Sequence, residues 1–101
     1  MSSEQNAITV RHVPERQQFE AQLQNRMEND LAVLTYSIRG NEVSLDHTYV
    51  PDAFRGRGVA AELVRAAINE ARQRGWKIYP RCSYVVTFFE RHPEFADVLK
   101  Q

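Results

Sequence analysis

A chain of 101 residues has room for one domain with a modest core. Its 13 Lys and Arg balance 13 Asp and Glu, and zero net charge argues against a broad nucleic-acid surface, which needs excess cations to displace phosphate counterions. One cysteine cannot form an internal disulfide, no zinc-ligand spacing exists, and no apolar run approaches the ~20 residues that cross a bilayer.

Residues 1–7, MSSEQNA, are polar and lack the basic-then-apolar order of a signal peptide. They read as a disordered tail before a single domain over 8–101. The expected setting is cytoplasmic, without nucleic-acid, membrane or metal partners, as a monomer or weak dimer. Ile8 to His12 alternates and starts a strand that Pro14 interrupts. Phe19, Ala21 and Leu23 alternate with Gln18, Glu20, Gln22 and Gln24 in a half-exposed strand. A polar turn follows at 25–30. Leu31 to Arg39 is a strand with Ala32, Leu34, Tyr36 and Ile38 on one face. Gly40-Asn41 is a two-residue hairpin turn with glycine first, the type II′ preference. Glu42 to Val50 returns, and unbroken alternation puts Val43, Leu45, His47 and Tyr49 on one face. These strands form an antiparallel meander.

A short loop then leads to Arg55-Gly56-Arg57-Gly58 and a helix over Gly58 to Arg74, stopped by Gly75. Ala60, Leu63, Ala67 and Ala71, with Val64 and Ile68, make its expected buried stripe. Lys77 to Pro80 is a short strand, so strand, helix and strand imply a parallel crossover. Ser83 can cap a helix over Tyr84 to Arg91. Pro93 suits the first turn of a last helix, Pro93 to Leu99, with His92 as its cap. The fold class is α+β.

Strand, glycine-rich turn and helix together can hold a phosphate. The first amides of a helix lack partners within it, and the aligned peptide dipoles make that end positive. Gly56 and Gly58 let an anion approach the backbone, and Arg55 and Arg57 add permanent charge. The turn is not a Walker loop, because no Gly-Lys-Ser/Thr follows. It is not a dinucleotide fingerprint, because Ala61 stands where a third glycine would be.

Arg55, Gly58 and Ala60 match Arg-x-x-Gly-x-Ala, which resembles the pyrophosphate motif of the GNAT superfamily of N-acetyltransferases. With His47-Thr48, Val50-Pro51, Pro80-x-Cys82-x-Tyr84 and His92-Pro93-Glu94, the chain resembles a small single-domain branch of that superfamily from about Phe19 to Asp97. The resemblance implies a minimal GNAT-like fold: the meander, a β-α-β crossover and C-terminal helices, with only a turn where the superfamily has helices between its first two strands. It implies acetyl-CoA as the CoA thioester, held by Val50, Arg55, Gly56, Arg57, Gly58, Val59 and Ala60, and an amine acceptor that the sequence does not name. The branch commonly has an acidic residue between Thr48 and Val50; here it is Tyr49, so that position supplies no carboxylate base.

Three residues are candidates for the chemistry. Cys82 follows the second parallel strand, where the resembled fold parts its strands for the pantetheine arm; it is a possible nucleophile, or a small packed residue. His47 has the pKa of a base, near 6.5, or is a hydrogen-bonded core histidine. Tyr84 could protonate a departing thiolate, as tyrosines do in the superfamily, or pack as an aromatic. An acyl-CoA-binding module without catalysis is the alternative to an N-acetyltransferase. RNA binding through the RGRG run is disfavoured by zero net charge and by the helix directly after it.

Overall fold

The computed structural model describes residues 8–23, 31–54 and 56–100. The tail over 1–7, the turn at 25–30 and Arg55 lie outside the described residues. Strand β1 (Ile8–Val13) and strand β2 (Gln18–Leu23) are joined by a single 3-10 turn over Pro14–Arg16. Pro14 opens that turn, where a missing N–H leaves no bond unmade. Thus only a turn stands between the first two strands, as expected. Strands β3 (Ala32–Arg39) and β4 (Glu42–Tyr49) form the hairpin. Gly40 has φ 61 while Asn41 is not left-handed, in keeping with type II′.

Helix α1 (Val59–Arg74) crosses to strand β5 (Lys77–Pro80), which pairs parallel with β4. The sheet order is β1-β2-β3-β4-β5, and the first four strands are antiparallel. Helix α2 (Ser83–Arg91) follows. The last segment, Pro93–Val98, is a 3-10 helix and ends before Leu99, which makes a lone parallel bridge to Ile78.

Helix α1 packs across β1, β2 and β3. Its buried residues are Val59, Leu63, Val64, Ala67, Ile68 and Ala71. Val59, rather than the expected Ala60, starts the stripe: the helix begins at Val59, and steps of four reach Leu63, Ala67 and Ala71. Ala60 is half-buried and turns towards a cleft. Against this stripe the sheet presents Phe19, Ala21, Ala32, Leu34, Tyr36, Val43, Leu45 and Ile78, all buried. His12 joins this face: its Nε2 lies 2.6 Å from the Tyr36 hydroxyl and its Nδ1 3.5 Å from a Glu70 carboxylate oxygen on α1.

Helix α2 buries Val85, Phe88 and Phe89 in the same core. It lies beside α1, whose Arg65 guanidinium sits 5.6 Å over the Phe88 ring. Arg72 of α1 pairs with Asp97 at 2.6 Å, fixing the last segment to the same layer. Both helices therefore cover one face of the sheet. The other face, over β3, β4 and β5, carries no helix among the described residues.

Candidate active site

The site begins with an irregularity in β4. Tyr36 faces Leu45 across the hairpin and Thr35 faces His47, so Asp46 is an extra residue. A bulge of this kind reverses the alternation beyond it. Thr48, opposite Leu34, turns to the helix-covered face together with Val50. His47 and Tyr49 turn to the opposite face and are exposed. The expected face shared by Val43, Leu45, His47 and Tyr49 therefore breaks after Leu45.

The bulge also ends the pairing of β4 with β5, whose last matched pair is Leu45 and Pro80. Beyond it, the amides of Arg81 and Cys82 both donate to the Leu45 carbonyl, at 3.0 and 3.2 Å. The strands then part. A cleft of about 490 Å³ opens between the end of β4 and the head of α1. Thr48, Val50 and Phe54 form one wall, the chain from Gly56 to Ala61 the floor, and Tyr84 the other wall.

The floor is backbone-rich. Gly56 and Gly58 have φ 78 and 74, and a Cβ on either would meet nothing within 4 Å. Gly58 caps α1 in the left-handed region, and the first helical bond runs from the Glu62 amide to its carbonyl at 3.1 Å. The amides of Val59, Ala60 and Ala61 precede that bond and point out of the helix end. The Val59 side chain is buried in the core, so only its main chain can serve the cleft. Arg57 is exposed on the turn.

Beyond β5, Cys82 is half-buried, with Sγ 3.2 Å from the Thr48 Oγ1. Cys82, not the expected Ser83, is the N-cap of α2, because its extended backbone (φ −76, ψ 137) leaves Ser83 as the first helical residue. Burial is the largest single influence on the thiol and pushes its pKa up. The Thr48 hydroxyl and the amides of Val85, Tyr84 and Thr48 outweigh it and leave the pKa below its ordinary 9.0. Cys82 makes no side-chain capping bond, so the Val85 and Tyr84 amides act on the sulfur as nearby donors. Burial pushes the Tyr84 hydroxyl the other way, upward, against Arg65 and Arg91, so the phenol keeps its proton.

Val50, Gly56, Gly58, Val59, Ala60 and Tyr84 thus line one cleft, Cys82 adjoins it through Thr48, and His47 does not line it. Thr48 was not singled out from sequence, since the bulge that turns it inward has no residue signature. His92 stands at the cap of the last 3-10 helix without a side-chain capping bond, with Nδ1 3.4 Å from Glu94. Among the described residues no group of His, Cys, Asp and Glu could hold a metal ion, and no helix is long and apolar enough to cross a membrane.

Residues 18–98 match the family model described as GCN5-related N-acetyl-transferase. The protein NATD1 of Xenopus tropicalis is 38% identical over 89 residues, covering 87% of this chain and 80% of its own. NATD1 of Homo sapiens is 38% identical over 87 residues, covering 85% and 75%. Among solved structures, a GCN5-like protein of Staphylococcus aureus superposes with a TM-score of 0.70 at 29% identity, covering 99% of this chain and 91% of its own. A ribosomal-protein-alanine N-acetyltransferase of Brucella melitensis biovar Abortus 2308 shares the fold, with a TM-score of 0.55 at 18% identity over 74% of this chain and 59% of its own. The strand order, the parted strands, the glycine turn at the helix head and the matched residues lead to one conclusion: the chain belongs to the GCN5-related N-acetyltransferase family.

Proposed function

We propose that the cleft binds acetyl-CoA and that the protein moves its acetyl group to an amine of a peptide or protein. The observation that carries this reading is one cleft lined by the open Gly56–Gly58 turn and by Thr48, whose hydroxyl meets Cys82 where β4 and β5 part. Gly56, Gly58, the main chain of Val59 and Ala60, and Arg55 and Arg57 would hold the pyrophosphate, and Val50 would flank the pantetheine arm. Acetyl-CoA supplies an acetyl group activated as a thioester. Cys82 is the nucleophile or sulfur-end neighbour, readied by the Thr48 hydroxyl. Tyr84 keeps its proton and is the donor suited to a departing thiolate. A lysine amine, with pKa near 10.4, is neutral in only about one molecule in a few thousand at pH 7, and partial desolvation at the cleft favours that form. The face of the sheet without a helix leaves room for a polypeptide acceptor.

A non-catalytic acyl-CoA-binding module is the second reading. It is favoured by the described cleft lining, which holds neither carboxylate nor imidazole. Calorimetry with CoA, followed by CoA release from acetyl-CoA with polyamines, amino acids and lysine peptides, separates the two. The enzyme reading expects binding and turnover, with Cys82→Ala keeping CoA affinity and losing turnover. Binding without turnover on any amine supports the carrier. No binding at millimolar CoA ends both readings.

A further inference from the structure

Across the uncovered face, Ser37, Ser44 and Tyr79 stand in one row, since Ser37 pairs with Ser44 and Ser44 with Tyr79. Arg39 and Glu42 form the next row, and Arg81 follows Tyr79 by two residues on the same face. A cleft of about 410 Å³ opens here, separate from the one at the helix head. Its charged lining is Arg39, Arg81, Lys100 and Glu42. Glu42 is taken by Lys100 at 2.9 Å, although Arg39 lies directly opposite it. Asp46, at the bulge, accepts the hydroxyls of Ser37 and Ser44, each at 2.6 Å. The guanidinium groups of Arg39 and Arg81 have no ion pair or hydrogen bond among the described residues. Arg11, Arg16, Arg65, Arg72 and Arg74 sit within reach of carboxylates, and Arg91 stands alone elsewhere among the described residues, so this cleft brings two unmatched guanidiniums together. Beside them Tyr79 leaves 57% of its surface exposed.

A guanidinium matches a carboxylate in shape as well as charge. The cleft is also placed for the reaction. Arg81 immediately precedes Cys82, and both amides share the Leu45 carbonyl. Along the strand Arg81 is one residue from Cys82, and the Arg39 row, level with Lys77, is five residues or about 17 Å from it. We infer that this face is the acceptor-docking surface and selects an extended polypeptide carrying acidic side chains about one to five residues from the amine that is acetylated. The inference rests on the acetyltransferase reading above and names the class of its acceptor.

The test uses fluorescein-labelled short peptides with a central lysine flanked either by Asp and Glu or by Asn and Gln. Their affinity for the CoA-saturated protein is read by anisotropy, with CoA affinity measured separately by calorimetry. The acidic peptide is expected to bind at least about tenfold tighter, the scale of two ion pairs, and to lose that margin at high salt. The double variant Arg39→Ala, Arg81→Ala should bring it down to the neutral peptide and leave CoA affinity unchanged. Equal binding of both peptides, or an acidic-peptide affinity untouched by the double variant, overturns the inference while CoA binding stands. Loss of CoA affinity in the double variant reassigns the cleft to CoA. Displacement by inorganic phosphate at concentrations like the peptide's own makes it a small-anion site; either result also overturns it. Should the double variant fail to fold, the salt dependence of the acidic margin in the unaltered protein decides.

Discussion

Cys82 illustrates how opposing influences on one group are resolved by geometry. Its partial burial disfavours a thiolate, and the Thr48 hydroxyl with the first amides of α2 more than offsets that. The folded pKa is therefore depressed, and the thiolate form extends below the ordinary midpoint of 9.0. Alkylation by iodoacetamide, followed against pH, should reach half its limiting rate at a lower pH than a free cysteine measured alongside. Thr48→Val removes the hydroxyl and leaves the burial, so its midpoint should move up. A wild-type midpoint at or above that of a free cysteine, or one unmoved by Thr48→Val, would contradict the account of the sulfur.

The glycine turn and helix α1 form the element proposed to hold the phosphate end, and it contains its own control. Gly58 and Gly75 bracket α1 with nearly equal φ, 74 and 73, and a Cβ on either meets nothing within 4 Å. Alanine at either position costs the same backbone strain, about 1–2 kcal/mol. Of the two, only Gly58 lines the cleft. Gly58→Ala and Gly75→Ala should therefore lower the melting temperature by similar amounts, while Gly58→Ala alone weakens CoA binding, by about tenfold or more. Equal CoA affinities in the two variants would move the phosphate site elsewhere. Much of this element was legible in the letters. Glycine before a run of Ala and Leu marks a helix start, and Gly75 after Arg74 marks its end. The β4 bulge was not legible. Val43, Leu45, His47 and Tyr49 alternate without interruption in the sequence, yet the added Asp46 turns Thr48 inward and His47 outward. The backbone of one strand measured against its partners decides this, and no residue type signals it. The N-cap of α2 escaped for a related reason: Ser83 is the better capping residue, but the two amides anchored on the Leu45 carbonyl set the helix start one residue earlier.

For the whole molecule, the helix-covered face carries the core and the cleft at the head of α1, and the uncovered face carries the unmatched arginines. The parting of β4 from β5 lies between the two. This division follows from length. With one 3-10 turn in place of helices between β1 and β2, nothing among the described residues covers the second face of the β3–β5 part of the sheet. On the reading proposed above, CoA and acceptor approach from opposite sides, and the two surfaces should respond separately to their ligands. The most direct test is the two-dimensional amide spectrum of isotope-labelled protein titrated with CoA. Shifts should concentrate at Thr48, Val50, Gly56, Gly58 to Ala61 and Cys82 to Val85, with Ser44, Tyr79 and Lys100 little changed. No shifts at millimolar CoA, or shifts centred on Ser44, Tyr79 and Lys100 instead, would contradict the assignment of the cleft at the head of α1.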